Sequence, residues 1–252
     1  MRIAANDNTN VCEYRILGIR IDNLTREEIN NRIKNILDKE PQQKFVTTLN
    51  PEIILEGHRD KNYADILNSA DFNLCDGFGV KFVFWLKGKK IKARYTGVDL
   101  ADYLLGIAKE KNLKVLIVVS RNSLSAPEEI KMGIGEKYNF QVRAKYWDNE
   151  KFFDDNETIS AEIVFVNFGA PGQEKFLNEN RTQFPKAKIL AGVGGTFDFL
   201  TGRMRRAPKW MRKIGMEWLW RLLNEPKRIR RIWKAAVIFP IIALFKAKKC
   251  PN

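Results

Sequence analysis

A carboxylate on a glycine turn is the clearest candidate for chemistry in this sequence. Asp76 follows a short apolar run and precedes Gly77, where the backbone can approach a ligand closely. An aspartate in this position could act as a general base that takes a proton from an attacking hydroxyl. Alternatively, Asp76 only caps the helix that follows it.

A second apolar run ends in hydroxyl and amide side chains. Thr48 and Asn50 lie at its end, and Pro51 then begins a predicted helix. Because the first N–H groups of a helix have no partner within it, this helix could bind an anion. The alternative is that Asn50 only caps the helix.

Two further apolar runs end in turns that could hold a sugar or a nucleotide. Gln173 follows the first turn, and its amide could hydrogen-bond a sugar or a base edge. The alternative is a capped helix start in which Glu174 is favourably placed. The second turn contains Gly194 and Gly195, as phosphate-binding loops require, with Asp198 shortly after. Its glycines do not complete the dinucleotide-binding pattern, which argues against a nicotinamide cofactor.

Missing residue types narrow the chemistry further. His58 is the single histidine, which excludes most histidine triads and multi-histidine metal sites. The sequence has no Asp-x-Asp pair to hold Mg²⁺ or Mn²⁺, so we expect no metal and no cofactor. A departing diphosphate would then need arginines to neutralise it. Arg94 is a candidate for this role, unless it forms a simple surface ion pair.

The elements that position these residues are predicted from an alternation of two patterns. Apolar β-rich runs predict strands at Lys44–Leu49, Phe72–Cys75, Lys114–Val119, Gln141–Tyr146, Ala161–Asn167 and Lys188–Val193. Helical patterns lie at Thr25–Asp38, Pro51–Leu67, Val98–Lys111, Ala126–Tyr138 and Gly172–Arg181. This alternation predicts an α/β fold with a mainly parallel sheet, in which ligands bind outside the carboxyl ends of the strands. Tyr14–Asp22 predicts an additional antiparallel edge strand.

The last 52 residues are strongly basic. They hold 15 of the 44 lysines and arginines but only two glutamates, so they carry +13 of the net charge of +14. Four of the six tryptophans and the apolar run Ala235–Phe245 lie in the same stretch. This composition favours an anionic membrane surface as partner, with nucleic acid or a merely solvated helix face as alternatives. We therefore expect a core at residues 1–200 and a membrane-associating appendage at residues 201–252.

Several motifs together resemble the WecG/TagA/CpsF glycosyltransferases. In the core they are Thr48–Glu52, Asp76–Val80, Arg94 with Gly97–Leu100, Phe168–Glu174 and Gly192–Asp198. In the appendage they are Arg205–Met211, Gly215–Leu219 and Arg221–Arg228. The resemblance runs in order from about Tyr14 to Arg231, so chance agreement is implausible.

The resemblance implies a Rossmann-like core and an inverting transfer from a UDP-sugar to a polyprenyl-diphosphate-linked acceptor. The sugar would be N-acetylmannosamine or its uronic acid. The pathway would be the synthesis of a surface polysaccharide or of teichoic acid. By motif position, Asp76 matches the family's base and Thr48 its partner. Residues that match the family's donor pocket are Asn50, Arg94, Gln173, Gly194 and Gly195. Those that match the arginines that close over the diphosphate are Arg221, Arg228 and Arg231.

The expected location is the cytoplasm, with peripheral attachment to the inner face of the plasma membrane. The first ten residues are polar and do not form a secretion signal. No stretch reaches the roughly 18 to 20 apolar residues that span a bilayer. The three cysteines are an odd number and far apart, which fits a reducing compartment. We expect no nucleic acid partner; a homo-oligomer is left open.

Overall fold

A computed structural model of the chain describes residues 14–148, 150–208, 210–211, 216–224, 229 and 233–245. Its strands are β1 (Arg15–Ile16), β2 (Ile19–Arg20), β3 (Lys44–Leu49), β4 (Phe72–Cys75), β5 (Val115–Val119), β6 (Arg143–Tyr146), β7 (Ile163–Asn167) and β8 (Ile189–Gly192). Its α-helices are α1 (Arg26–Lys39), α2 (Pro51–Arg59), α3 (Lys61–Ser69), α4 (Phe78–Leu86), α5 (Gly97–Lys111), α6 (Pro127–Tyr138), α7 (Asn156–Ile159), α8 (Gly172–Asn180), α9 (Thr196–Leu200), α10 (Glu217–Asn224) and α11 (Phe239–Phe245). Two 3-10 segments (Glu150–Asp154 and Arg181–Gln183) and a π-helical segment (Lys234–Ile238) complete the described elements.

Six parallel strands form the central sheet, in the order β4-β3-β8-β7-β5-β6. β5 and β7 are fully buried, with apolar runs typical of parallel strands covered on both faces. The register pairs Leu49 with Cys75 and Val119 with Asn167, each the last residue of its strand. The carboxyl ends therefore lie along one edge, and the predicted α/β fold with a mainly parallel sheet is confirmed.

Side chains of the sheet alternate between two apolar cores. Along β5, Ile117 joins the cluster formed with α1, α5 and α6, whereas Leu116 and Val118 join the cluster formed with α8. β7 divides in the same way, as the two-residue period of a strand requires. Packed helices on both faces hold the strands, and thus the strand ends, in fixed positions.

A third apolar cluster lies beyond the edge strand β4. It joins the β1–β2 hairpin with α2, α3 and α4, and it also includes Phe239 and Ala243 of α11. Both side chains are fully buried. The appendage therefore packs its last described helix into the core of the protein, and its removal would expose apolar side chains of α2 and α4.

The predicted single helix Pro51–Leu67 is wrong, because the structure divides it at Asp60. The backbone of Asp60 is extended, and its N–H donates to the Glu56 carbonyl at the end of α2. Its carboxylate accepts from the Tyr63 N–H, which makes Asp60 the N-cap of α3. One residue thus closes one helix and opens the next.

The predicted edge strand Tyr14–Asp22 is also wrong. Positive φ angles at Leu17 and Gly18 turn the chain back on itself, so that β1 pairs with β2 and not with the central sheet. Ile16 and Ile19 are fully buried in the third cluster, which fixes the hairpin over α2 and α3. The remaining predicted strands and helices occur with their ends shifted by at most two residues.

Candidate active site

A cavity of about 660 Å³ opens at the carboxyl ends of five parallel strands. Its walls are formed by the segments that follow β3, β4, β5, β7 and β8, and by one side of α2. This edge of the sheet is where open α/β folds bind ligands. The cavity contains most of the residues that the sequence singled out: Thr48, Asn50, Asp76, Gln173, Gly194, Gly195 and Asp198.

Asp76 and Thr48 lie on neighbouring strands at one end of the cavity. Thr48 is the penultimate residue of β3, and the Asp76 N–H, just past β4, donates to the Leu49 carbonyl oxygen at 2.9 Å. Gly77 permits this close approach of the two loops, since a Cβ there would stand 2.5 Å from Cδ of Pro51. The sheet thus fixes a half-buried carboxylate in the wall of the cavity.

The neighbouring thiol of Cys75 is not a candidate nucleophile. Burial, with a smaller contribution from the charge of Asp76, raises the pKa of Cys75 to about 12. The thiolate is the reactive form of cysteine, so this side chain stays in its inert, protonated form. The carboxylate of Asp76, which lines the cavity, stays the candidate base.

Asn50 lines the cavity but acts as a helix cap. Its Oδ1 accepts from the N–H groups of Glu52 and Ile53 at 2.9 and 3.0 Å. These are two of the N–H groups that would otherwise face an anion. The first turn of α2 also carries the carboxylate of Glu52, so the capping interpretation accounts for this helix start better than anion binding does.

Gln173 is buried beneath the glycine turn. Its Oε1 accepts from the Gly194 N–H at 2.8 Å, and its Nε2 donates to Glu174 Oε1 at 2.7 Å. The Tyr63 hydroxyl donates to the other oxygen of Glu174 at 2.8 Å. Gly194 has a φ of +54°, a left-handed conformation that favours glycine. The amide of Gln173 therefore holds the turn in place, and burial raises the pKa of Glu174.

Asp198 supports the same turn from the other side. Its Oδ1 accepts from the Ser125 N–H at 3.0 Å, which ties the loop after β5 to α9. Its Oδ2 lies so close to Gly195 that a Cβ there would stand 2.9 Å away. Like Gln173, Asp198 lines the cavity while hydrogen-bonding to the protein.

Of the predicted cations, only Arg94 has a described side chain, and it does not line the cavity. The Arg94 carbonyl oxygen accepts from the Arg26 guanidinium at 3.1 Å. Within the part of the chain that is described, the basic residues lining the cavity are Arg59, Arg206 and Lys234. Arg206 donates to the hydroxyl of Thr96, the N-cap of α5, at 3.3 Å. Arg206 and Lys234 belong to the appendage, which therefore forms part of the cavity wall.

Three predicted arginines fall where the structure gives no side-chain position. Arg228 and Arg231 lie outside the described residues. For Arg221 only the backbone is described, within α10. Their predicted contact with a diphosphate stays a prediction.

Asn167 was missed by the sequence patterns, although it ends β7 and lines the cavity. It is 2% exposed. Its Oδ1 accepts from the Phe197 N–H at 3.4 Å, which orients the amide, but its Nδ2 has no hydrogen-bond partner among the described residues. A buried donor without a partner is costly, so such a group at a cavity wall indicates a position for a ligand acceptor. Asn167 is found only by checking which buried donors in the structure have a hydrogen-bond partner.

Two further findings bear on the site. In the described ranges, no group of three or more His, Cys, Asp or Glu side chains could hold a metal ion. None of the helices described there is long and apolar enough to cross a bilayer.

A second cavity, of about 630 Å³, lies along β6, the strand at the outer edge of the sheet. Arg143 and Lys145 in its lining both form ion pairs with Asp155, at 2.6 and 2.9 Å. Because open α/β sheets bind ligands at the carboxyl ends of their strands, we take the cavity at the strand ends as the candidate active site.

Comparison with known proteins extends over both the core and the appendage. Residues 14–251 match the glycosyl transferase WecG/TagA/CpsF family. The chain is 33% identical over 214 residues to the N-acetylglucosaminyldiphosphoundecaprenol N-acetyl-beta-D-mannosaminyltransferase of Bacillus subtilis strain 168, covering 82% of this chain and 80% of that protein. The protein of the same name from Bacillus spizizenii is 35% identical over 75% of this chain and 74% of its own length. That from Staphylococcus aureus strain MRSA252 is 28% identical over 98% of each.

Proposed function

Because the chain belongs to the glycosyl transferase WecG/TagA/CpsF family, we propose that it transfers N-acetylmannosamine from a UDP-sugar to N-acetylglucosamine on a polyprenyl diphosphate. The two sugars and the lipid are those in the names of its relatives. The observation that carries the proposal is that Asp76 and Thr48 both line a cavity that crosses five strand ends. The pathway we propose is teichoic acid or surface polysaccharide synthesis.

Asp76 is the general base of a single displacement. A hydroxyl of the acceptor sugar attacks the anomeric carbon of the donor, and its proton passes to the Asp76 carboxylate. The bond between the anomeric carbon and the diphosphate oxygen breaks, and its electron pair leaves with UDP. Since attack and departure take place on opposite faces, the anomeric configuration inverts. Thr48, on the neighbouring strand, is placed to hydrogen-bond the reacting sugars.

Cations from the appendage stabilise the departing diphosphate. Arg206 and Lys234 line the cavity, and positive groups there oppose the negative charge that develops on the leaving oxygen. We propose that Arg221, Arg228 and Arg231 add to this charge and exclude water from the site. Turnover should therefore survive EDTA, and a strict requirement for a divalent metal would contradict this part of the proposal.

We propose that Asn167 binds the nucleoside end of the donor. It ends β7, three strands from β4 in the sheet, which is about 14 Å at the usual strand spacing. With the anomeric carbon near Asp76, the diphosphate would lie over β3 and β8, and the nucleoside would reach β7. The Nδ2 of Asn167 would then donate to a carbonyl oxygen of the uracil ring.

The appendage is also proposed to attach the enzyme to the inner face of the plasma membrane. Trp233 and Phe245 are 60% and 85% exposed, within a segment rich in lysine and arginine. Aromatic and apolar side chains beside cations suit an anionic headgroup layer. The alternative of nucleic-acid binding receives no support from the family match.

The test is a transfer assay with a panel of donors. The full-length protein is incubated with short-chain polyprenyl-diphosphate N-acetylglucosamine and, separately, UDP-N-acetylmannosamine, its uronic acid, UDP-N-acetylglucosamine or UDP-glucose. Mass spectrometry should show one N-acetylhexosamine added from the first donor, with UDP released, and NMR should show an inverted anomeric centre. Preference for another donor would overturn the sugar assignment, and retention of configuration would overturn the single displacement.

A further inference from the structure

Helix α4 is apolar on the side that faces solvent as well as on the side that faces the core. Val80, Val83 and Phe84 are buried in the third apolar cluster. On its other side, Phe82, Trp85 and Leu86 are 39%, 68% and 44% exposed, and the rings of Phe82 and Trp85 stack with centroids 5.9 Å apart. A surface helix normally carries polar residues on its outer side. Large exposed apolar patches mark interaction sites.

The appendage extends this patch. Helix α11 packs against α4 and buries Phe239 and Ala243. Its outer side exposes Ile241, Leu244 and Phe245. The exposed apolar side chains of these two packed helices are here called the α4–α11 surface; they are Phe82, Trp85, Leu86, Ile241, Leu244 and Phe245.

Positive charge accompanies the α4–α11 surface. The stretch from Gly77 to Val98, which contains α4 and the segment after it, has six lysines and arginines and no aspartate or glutamate. Burial, with a smaller contribution from the charge of Lys89, lowers the pKa of Lys87 at the end of α4. An apolar face bordered by cations complements a layer of lipid acyl chains beneath anionic headgroups.

The same charge argues against a second copy of the chain as the partner. A symmetric dimer through the α4–α11 surface would bring two such basic stretches together, and like charges placed opposite each other are unfavourable. A lipid headgroup layer neutralises them instead.

The surface also begins at the catalytic end of the cavity. Phe78, the first residue of α4, is two positions from Asp76 and is 45% exposed. The π-helical segment that leads into α11 starts with Lys234, which lines the cavity. A Cβ on Gly79 would stand 3.5 Å from the carbonyl oxygen of Ala235 in that segment, so the two helical regions meet at the cavity.

We propose that the α4–α11 surface is a membrane-contacting face, inserted among the headgroups of an anionic bilayer with the Asp76 end of the cavity beside it. Helix α4 of the core is thus a second membrane element besides the basic appendage. A lipid-linked acceptor would then reach the base without leaving the bilayer, an advantage that rests on the proposed function. The contact itself does not depend on the reaction.

Vesicle binding by the full-length protein tests the proposal. The double variant Phe82→Ser/Trp85→Ser is compared with the wild type by sedimentation with phosphatidylglycerol-containing vesicles and with pure phosphatidylcholine vesicles. Partition into the anionic vesicles should fall about tenfold, because two inserted aromatic side chains are lost. Met132→Ser, which removes a side chain 65% exposed on α6, is the matched control and should bind as the wild type does.

Other readings separate failure of this proposal from failure of the proposed function. Circular dichroism should show that the double variant melts as the wild type does, since both side chains are exposed. Turnover of a water-soluble short-chain acceptor should change less than about twofold, because neither residue lines the cavity. Unchanged partition of the double variant would overturn the membrane face, whatever the transfer assay shows. Sedimentation velocity without lipid provides a second test. If the wild type were a dimer and the double variant a monomer, the α4–α11 surface would be a dimer interface and the membrane face would be overturned.

Discussion

Two buried amides in the same cavity differ in what their hydrogen bonds do. Gln173 donates to Glu174 and accepts from the Gly194 N–H, so its amide serves the glycine turn. Asn167 accepts from the Phe197 N–H, but its Nδ2 has no partner in the described part of the chain. Asn167 ends β7, Gln173 lies in the first turn of the following helix α8, and both are almost fully buried. Residue type and position near a strand end therefore do not tell a residue that holds the protein together from one that binds a ligand. The hydrogen bonds that each buried side chain makes do distinguish the two.

The largest effect is expected from Asp76→Asn, which tests the reactive end of the cavity. The amide keeps the shape of the side chain but cannot take the acceptor proton, so turnover should fall by roughly 10² or more while UDP binding persists. Steady-state transfer rates and calorimetric UDP binding measure the two quantities. Asp65→Asn, on the exposed side of α3, is the control. Retained turnover would assign the base elsewhere, with Glu52 and Glu56 in the same wall as the next candidates.

Asn167→Ala tests the amide whose donor has no protein partner. The donor KM should rise about tenfold, because a hydrogen bond to the nucleoside is lost. The melting temperature should change little, since the group removed has one long bond to the protein. Asn122→Ala, an exposed asparagine lining the same cavity, is the matched control. A lower melting temperature with an unchanged KM would make Asn167 a scaffold residue like Gln173.

Asn50 tests the same distinction for a residue whose described hydrogen bonds are all to the protein backbone. Asn50→Ala should cost about 1 kcal/mol in the free energy of unfolding, because the N–H groups of Glu52 and Ile53 lose their cap. Asn50→Ser should restore most of that loss, since serine is also a good N-cap. Urea denaturation measures both. If both variants instead raised the donor KM without loss of stability, Asn50 would be a ligand contact.

The smallest effect is expected from Glu174→Gln, which should change how the free energy of unfolding depends on pH. Burial raises its pKa above the usual 4.5, so the folded state binds this proton more tightly than the unfolded state does. Its contribution to stability is therefore greatest below that value and falls as pH rises towards the raised pKa. Glu174→Gln should remove this decline, so the variant gains on the wild type between about pH 5 and about pH 8.

Urea midpoints at the two pH values measure the difference for Glu174→Gln. Glu179→Gln, exposed on the same helix, is the control and should follow the wild type at both. A wild type that becomes more stable relative to Glu174→Gln as pH rises would contradict the assignment of a raised pKa.

Much of the core fold could be predicted because its strands are short, apolar and separated by helical periods. The end of β3 at Leu49 and the start of α2 at Pro51 follow from the residues themselves. The break at Asp60 could not be predicted, since an aspartate within an apolar period is also compatible with a continuous helix. A helix after Asp76 was expected, but the bounds of α4 were not predicted, because its nine residues are apolar almost all round and show no clear helical period.

Site residues could be predicted from the sequence where the end of a strand positions them. They were missed where the packing of distant segments positions them. Asp76 directly follows β4 and Thr48 is the penultimate residue of β3, so the parallel register brings both to the cavity. Arg206 and Lys234 reach it only through the path of the appendage, which no local pattern specifies. Arg94, close in sequence to the site, does not line it.

A crystal structure of the protein with UDP bound would test the central claim most directly, since it shows how the donor lies across the strand ends. We predict a uracil carbonyl oxygen within hydrogen-bond distance of Asn167 Nδ2, the diphosphate within reach of Arg206, and the terminal phosphate directed towards Asp76. UDP bound along β6, or with its base beside Asp76, would contradict the account.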